Sequence, residues 1–381
     1  MLLYVHVPFC RSKCRYCAFH SVVPAPGQMR RYVELLEAEA ALWGRRLHRP
    51  RVQTLHLGGG TPSLLPPALL ERLVRALRAN FRFDPGLEFG MEANPESAAD
   101  WTMMETLGRL GVTRLSLGVQ SFDDNDLALL GRPHTAAQAE AAVRLALGAG
   151  LRSVSLDLIW GLPGQRLHHW LANLKRAVRL GPQHISCYGL TLEPGTPLEL
   201  QERAGGLELP DEGEQQRMYL QGGEFLESEG YLQYEISNFA RMGFECRHNM
   251  GYWEARPYLG LGPAAVSTLG ARRWKNPEDQ DAYAAAIRDA TLGTDAEPLD
   301  SQTRLREMVM LRLRTTRGLD LAAYRQAAGR DLAAGNQPML RALRQRDLIR
   351  LAGGRLRLTR PGMLVSDAII ANLFADLPAA K

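Results

Sequence analysis

Short apolar runs alternate with amphipathic stretches through the first half of the chain. The apolar runs are rich in Val, Leu and Ile and indicate buried strands, at 2–7, 52–57, 87–92, 114–119, 153–159 and 184–190. The stretches between them have the composition of helices and include 29–47, 66–80, 136–147 and 168–180. Six strand–helix units in succession call for a parallel sheet. The predicted fold class is therefore α/β, as a doubly wound sheet or as a full or partial (β/α) barrel.

Chemically distinctive residues fall at the carboxyl ends of these predicted strands. A loop with three cysteines follows the first strand, and the glycine run GGGTP follows the second. Glu92 ends the third strand, Gln120 ends the fourth, and Asp157 lies late in the fifth. Because parallel strands present their carboxyl ends at one edge, we expect these residues to converge on one rim.

The pattern changes after residue 205. Residues 211–229 predict a helix, YLQYEIS predicts a short strand, and CRHNMGYWEARPYLGLGP predicts a loop with functional side chains. From about residue 301, helical patterns and two apolar runs around a Gly-Gly pair indicate a small winged-helix-like α+β domain. We therefore divide the chain into a main domain at 1–240, a linker region with the HNMGYW loop at 241–300, and a C-terminal domain at 301–381.

Composition and charge argue against a membrane-spanning protein, a disulfide-rich secreted protein and a nucleic-acid-binding protein. The chain is 45% hydrophobic and 23% charged, and no apolar run approaches the ~18 residues that span a membrane. Five cysteines, three of them within eight positions, do not form a disulfide framework, which predicts a reducing cytoplasm. Residues 301–381 hold 15 Lys and Arg against 6 Asp and Glu. We assign this excess to solvated helix faces and expect no nucleic-acid partner.

The cysteines Cys10, Cys14 and Cys17 form a C-x3-C-x2-C motif within one loop. Thiolates spaced in this way can converge on an iron–sulfur cluster, zinc or copper(I). Structural zinc takes four ligands, and His20 is the only candidate for a fourth nearby. Three thiolates on a [4Fe-4S] cluster leave one iron with an open position. The motif alone leaves cluster and zinc as alternatives.

A C-x3-C-x2-C motif after a first strand resembles the signature of the radical S-adenosylmethionine (SAM) superfamily. The resemblance implies one [4Fe-4S] cluster with three cysteine ligands, SAM on its open iron, and a partial (β/α)6 radical SAM barrel. Further motifs extend the resemblance over nearly the whole chain, to the anaerobic coproporphyrinogen III oxidase-like family. They are YVHVPFC, GGGTP, MEANPE, SLGVQSF, LGRPH and LDLIWGLPGQ, in this order.

The same resemblance implies a set of SAM contacts. Tyr4, Gly59 and Glu92 would serve the cluster-bound SAM. The positions that match contacts of a second SAM in the oxidase are Tyr16, Gly60, Thr61, Gln120, Arg132 and Asp157. Physically, the glycines of GGGTP would let the backbone approach the cofactor without a Cβ in the way. The Glu92 carboxylate could accept hydrogen bonds from ribose hydroxyls or pair with the ammonium group.

Within this family, three features resemble the HemW group of haem chaperones. Phe19 stands where the oxidase motif has a fourth Cys, and the chain starts close to its first strand, where the oxidase has an extension implicated in closing its active site. The segment HNMGYW matches an HNxxYW motif associated with haem. An imidazole beside Tyr and Trp in a flexible loop suits axial ligation of iron, so His248 is the predicted haem ligand.

The resemblance therefore implies a haem chaperone, which binds haem and a SAM-liganded [4Fe-4S] cluster and passes haem to an acceptor haem protein. Respiratory, membrane-associated haem proteins are the acceptors that we expect. The alternative is an oxygen-independent coproporphyrinogen III oxidase, which decarboxylates two propionates oxidatively by radical SAM chemistry. A dimer is compatible with the sequence, although no motif indicates one.

Overall fold

The computed structural model describes residues 1–374. Its strands are β1 Leu2–Val7, β2 Arg51–Gly59, β3 Arg82–Ala93, β4 Arg114–Gln120, β5 Ser153–Trp160, β6 His184–Gly189, β7 Leu232–Gln233, β8 Asn238–Ala240, β9 Tyr258–Leu261, β10 Val266–Leu269, β11 Arg272–Lys275, β12 Glu297–Pro298, β13 Leu319–Asp320, β14 Ile349–Ala352 and β15 Arg355–Leu358. Its α-helices are α1 Gln28–Arg46, α2 Pro67–Asn80, α3 Pro95–Ala98, α4 Trp101–Leu110, α5 Asp124–Leu130, α6 Ala136–Gly148, α7 Leu167–Leu180, α8 Pro197–Arg203, α9 Glu212–Ser228, α10 Arg247–Trp253, α11 Gln280–Arg288, α12 Ser301–Leu313, α13 Leu321–Ala328, α14 Leu332–Gly335, α15 Gln337–Gln345, α16 Arg360–Leu364 and α17 Ser366–Leu373. A short 3-10 helix covers Pro62–Leu64.

The main sheet has the strand order β12-β11-β10-β9-β1-β2-β3-β4-β5-β6-β8-β7. Strands β1 to β6 lie side by side in chain order, and every neighbouring pair among them is parallel. The order is open, since β9 continues the sheet beyond β1 and β8 continues it beyond β6. The predicted α/β fold with a partial (β/α)6 barrel is therefore confirmed.

The inner face of β4, β5 and β6 is polar. Alternate residues of these strands line a cavity of about 210 Å³ beneath the carboxyl ends: Arg114, Ser116, Ser155, Asp157, His184, Ser186 and Tyr188. Barrels of this kind are commonly filled by branched apolar side chains. The apolar core lies outside instead, where the strands meet the helices. The interior thus offers hydrogen-bonding groups directly below the rim.

Residues 241–300 differ from the prediction. The predicted loop of the HNMGYW segment is wrong, because the segment forms α10 and is followed by β9, which pairs in parallel with β1. Gly251 lets α10 lie against the first strand, since a Cβ there would come within 2.5 Å of Leu2. The region predicted as a linker also contains β10 and β11, which extend the main sheet. The predicted YLQYEIS strand is reduced to the two residues of β7.

The C-terminal unit has its own core around a three-stranded sheet of order β13-β15-β14. Gly353 and Gly354 connect β14 to β15, and both have positive φ, at 57° and 70°. The predicted small C-terminal α+β domain is therefore confirmed. Its predicted extent, 301–381, includes residues 375–381, which lie outside the described part. Tyr219 of α9 and Trp160 of β5 pack against this core and join it to the main domain. Within residues 1–374, no helix has both the length and the apolar character to cross a membrane.

A buried carboxylate ties α1 to the segment after β9. Glu39 is fully buried and accepts hydrogen bonds from the Gly262 amide at 2.7 Å, from Asn276 Nδ2 at 2.8 Å and from the Tyr283 hydroxyl. Burial nevertheless raises the pKa of Glu39 to about 7. The cost of removing the charge from water therefore exceeds the gain from three donors.

Glu39 predicts a pH dependence of stability. Its folded pKa of about 7 lies above the ordinary value of 4.5, so the folded state holds this proton more tightly than the unfolded chain. The resulting stabilisation is fully present below about pH 4.5 and is lost as the pH rises through about 7. In urea unfolding across this range, we expect the unfolding free energy of wild type to fall more than that of Glu39→Gln, by up to roughly 3 kcal/mol. Parallel pH profiles would contradict this assignment.

Candidate functional site

A cavity of about 470 Å³ opens at the carboxyl ends of the parallel strands. Most of the predicted site residues line it: Cys10, Cys14, Tyr16, Cys17, Gly59, Gly60, Thr61, Glu92, Gln120, Arg132 and Asp157. They come from β1 to β5 and the segments that follow these strands, so the predicted convergence on one rim is confirmed. Tyr4 and His248 line the smaller polar cavity beneath instead.

The three cysteines of the loop are free thiols that face this cavity. Burial raises the pKa of the Cys10 and Cys17 thiols. Thr61 Oγ1 donates to Cys10 Sγ at 3.7 Å, and Arg132 Nη1 donates to Cys14 Sγ at 3.3 Å. Two of the three sulfur atoms thus accept a hydrogen bond from the protein itself.

The three cysteine sulfurs fit an iron–sulfur cluster better than a single metal ion. Within residues 1–374, no three His, Cys, Asp or Glu side chains lie close enough together to hold one metal ion. Structural zinc takes four converging ligands. The thiolates of a [4Fe-4S] cluster bind different irons and surround the cluster, so they need a shared cavity and not a shared point. Three free thiols around one cavity meet that need.

Arg132 is held by a network that includes a residue the sequence analysis missed. Its Nη2 donates to Asn94 Oδ1 at 2.6 Å and to the Gly118 carbonyl at 2.9 Å. Asn94 Nδ2 in turn donates to Thr61 Oγ1 at 2.8 Å, the same hydroxyl that contacts Cys10. The signal was present in the motif MEANPE, where Asn94 directly follows β3. Asn94 thus fixes two groups that contact cysteine sulfur.

The glycines of the GGGTP run are required by packing within the protein. A Cβ on Gly58 would lie 2.7 Å from Glu92 Oε1, and one on Gly59 would lie 2.5 Å from the His6 ring. A Cβ on Gly60 would lie 2.6 Å from the Phe9 carbonyl oxygen. Atoms of the protein itself fill these spaces, so packing within the protein already requires glycine here. Gly59 and Gly60 also line the cavity, and their contact with a cofactor stays a prediction. The glycines let β1, β2 and β3 bring their functional groups together.

Glu92 is held in place by two donors. The Gly59 amide donates to Oε2 at 3.1 Å, and His56 Nε2 lies 3.1 Å from Oε1. The Glu92 side chain remains 41% exposed and lines both cavities. It therefore presents a fixed carboxylate that can accept hydrogen bonds from hydroxyl or ammonium groups of a ligand.

Asp157 and Gln120 complete the opposite wall. The Ser116 hydroxyl lies 3.0 and 2.9 Å from the two carboxylate oxygens of Asp157. Burial raises the pKa of Asp157 to about 6 in spite of this donor. Gln120 has a φ of 65°, which side-chain-bearing residues rarely adopt and which often marks a functional site.

His248 does not occupy the flexible loop that the haem-ligand prediction assumed. It is buried in α10, where Nδ1 lies 2.7 Å from Thr54 Oγ1 and Nε2 lies 3.0 Å from the Tyr252 hydroxyl. Burial lowers the pKa of His248 well below its ordinary value, so the ring is neutral. Because both nitrogens are hydrogen-bonded, neither is free for iron unless α10 opens. The predicted flexible loop is therefore wrong, and ligation of haem by His248 stays a prediction.

Comparisons with known proteins identify the family. Residues 4–177 match the model of the radical SAM superfamily, and residues 299–365 match that of the HemN C-terminal domain. The chain is 37% identical over 376 residues to the heme chaperone HemW of Mycobacterium tuberculosis, covering 97% of this chain and 94% of that protein. This chain belongs to the HemW family of radical SAM proteins.

Further proteins and one solved structure are similar to this chain over most of its length. The HemW of Bacillus subtilis is 31% identical, over 98% of this chain and 99% of its own length. A mitochondrial radical SAM domain-containing protein 1 of Bos taurus is 33% identical, over 99% and 88%. The solved structure of coproporphyrinogen III oxidase (HemN) from Escherichia coli superposes with a TM-score of 0.84 at 25% identity, over 99% of this chain and 90% of that one. Membership in the HemW family confirms the predicted resemblance, and its radical SAM character implies a [4Fe-4S] cluster and SAM as cofactors.

The cysteine loop makes a direct prediction. Replacing Cys10, Cys14 or Cys17 by Ser removes one thiolate, so each variant should lose bound iron and the brown absorption of anaerobically reconstituted protein. Cys187→Ala is the matched control, because Cys187 is buried in β6 and does not line the cavity. Iron and sulfide analysis would measure the effect. Full cluster content in any of the three serine variants would contradict the assignment.

Proposed function

We propose that this protein is a haem chaperone, which binds haem and a SAM-liganded [4Fe-4S] cluster and delivers haem to an acceptor haem protein. The observation that carries the proposal is the apolar mouth of the cavity. Phe19 and Tyr188 both line it, and they are 69% and 43% exposed. Large apolar side chains left in water at a cavity mouth mark a binding surface, and the flat faces of a porphyrin complement aromatic rings.

The identity of Phe19 supports binding over chemistry. In the oxidase motif this position is a fourth cysteine, and here a solvent-exposed aromatic ring replaces the thiol. The naming of the curated relatives as heme chaperones points in the same direction. We propose membrane-associated respiratory haem proteins as the first acceptors to test, as the family resemblance implies.

The residues of the cavity divide between two tasks in this proposal. Cys10, Cys14 and Cys17 hold the cluster, which when bound can supply the electron that cleaves SAM. Glu92 and the Gly59 backbone serve the cluster-bound SAM, with Tyr4 acting from beneath. The remaining wall would accommodate a second SAM or part of the haem, through Tyr16, Gly60, Thr61, Gln120, Arg132 and Asp157.

A second candidate function is the oxidative decarboxylation of coproporphyrinogen III. It is favoured by the second-SAM positions, all of which line the cavity. In this case, reduced protein under anaerobic conditions would convert two of the propionates to vinyl groups. Each conversion would release CO2, pass one hydrogen atom to the adenosyl group of a cleaved SAM and pass one electron to an acceptor. Formation of a vinyl product at a catalytic rate would replace the chaperone proposal. SAM cleavage without that product would reject the oxidase.

The chaperone proposal predicts the outcome of an anaerobic haem titration of cluster-loaded protein. Wild type should bind haem saturably, and Phe19→Ser should bind it about tenfold more weakly, because an apolar ring no longer packs on the macrocycle. The matched control is Met242→Ser, since Met242 is 81% exposed and follows β8 at the opposite end of the sheet. The Soret band would report the binding.

Two results would contradict the proposal. Absence of saturable haem binding by wild type would reject haem handling altogether. An equal loss of affinity in Phe19→Ser and Met242→Ser would reject the cavity mouth as the haem surface.

A further inference from the structure

A stack of three rings connects α10 to the candidate SAM site. The rings of His248 and His56 lie 5.1 Å apart with an interplanar angle of 21°. The rings of His56 and Tyr4 lie 6.4 Å apart at 13°. Tyr4 and His56 pair across β1 and β2, so two strands and one helix each contribute a ring. The stack runs beneath Glu92 and the cysteine loop.

His56, in the middle of the stack, fixes Glu92. A carboxylate only accepts hydrogen bonds, so at 3.1 Å the Nε2 of His56 is the donor. His56 Nδ1 is buried and has no hydrogen-bond partner among the described residues. Gly90 provides the room for the ring, because a Cβ there would lie 2.5 Å from His56 Nδ1. Stacking and the bond to Glu92 therefore set the orientation of this imidazole.

His248 is the rigid end of the stack. Thr54 and Tyr252 hold its two ring nitrogens, and its backbone amide donates to Glu88 Oε1 at 2.8 Å. Thr54 precedes His56 by two residues on β2, so the two side chains point to the same face of the sheet. His248 thus presents a fixed flat surface to His56.

The opposite end of the stack reaches the cysteine loop. His6 Nε2 lies 2.9 Å from the His20 carbonyl oxygen, which only accepts, so this nitrogen donates. Burial lowers the pKa of His6, which makes the ring neutral and leaves Nδ1 as an acceptor for the Tyr4 hydroxyl at 3.0 Å. Tyr4 therefore contacts the loop through His6.

We infer that His248 and His56 are positioning residues for SAM. His248, held by Thr54 and Tyr252, keeps the His56 ring in place, and His56 keeps the Glu92 carboxylate in the orientation that receives SAM. The HNMGYW segment then serves SAM binding from inside the barrel and does not supply an axial ligand to haem. The inference rests on the proposed function in one respect, namely that Glu92 contacts SAM.

The first test separates the hydrogen bond of His56 from its bulk. SAM affinity of cluster-loaded protein would be measured by equilibrium binding in His56→Phe and His56→Gln. Phenylalanine keeps a ring in the stack but cannot donate, and we expect about tenfold weaker binding, as for loss of a hydrogen bond to a charged group. Glutamine restores a donor and should bind within about threefold of wild type. Wild-type affinity in His56→Phe at full cluster content would overturn the inference.

The second test assigns the role of His248. His248→Ala should weaken SAM binding about three- to tenfold, and His248→Phe, which restores the ring, should recover most of it. His184→Ala is the matched control, because His184 is equally buried and lies 2.7 Å from the Ser155 hydroxyl and 2.8 Å from the Tyr234 hydroxyl. His184 makes no ring contact with His56, so this variant should bind SAM within about twofold of wild type.

Haem titration of the same variants distinguishes a positioning role of His248 from axial ligation of haem. If His248 positions His56 for SAM binding, His248→Ala changes SAM affinity and leaves haem affinity unchanged. If His248→Ala weakens haem binding and alters the Soret band while SAM affinity stays at the wild-type value, the inference is overturned and axial ligation takes its place. Failure of wild type to bind haem would reject the proposed function, and the SAM measurements would still decide the role of the stack.

Discussion

The site depends on the close approach of three strands at the glycine run that ends β2 and continues one residue beyond it. Gly58 admits the Glu92 carboxylate, Gly59 admits the His6 ring, and Gly60 lies against the backbone that leads into the cysteine loop. Any side chain at these positions would meet protein atoms at 2.5 to 2.7 Å. The distance between the cysteine loop and the groups across the cavity is therefore set by packing within the protein, before a cofactor binds.

The sequence predicted the barrel and its rim because their signals are local and strong. Strand–helix alternation fixes a parallel sheet, a parallel sheet puts its carboxyl ends together, and the distinctive residues follow those ends. The C-x3-C-x2-C spacing then placed Cys10, Cys14 and Cys17 at the same edge. These inferences need no knowledge of how side chains pack across the barrel.

Features that depend on how side chains pack across the barrel were predicted wrongly or not predicted. Helix α10 has only seven residues with a glycine inside, so its segment has the composition of a loop, and its helical state follows from burial against β1. His56 lies in a strand otherwise read as core, and no periodicity reveals that it bonds Glu92 and stacks on His248. The polar interior arises from single residues on several strands, which only the register brings together.

We propose that the three cysteines hold a [4Fe-4S] cluster with one iron open to SAM, and the other roles of the cavity depend on this. Electron paramagnetic resonance of the reduced, cluster-loaded protein, recorded without and with SAM, tests it most directly. A ligand at the open iron changes the electronic structure of the cluster, so we predict a clear change of the signal on adding SAM. An identical signal at saturating SAM would show that the iron is closed or that SAM binds elsewhere, and it would contradict the account.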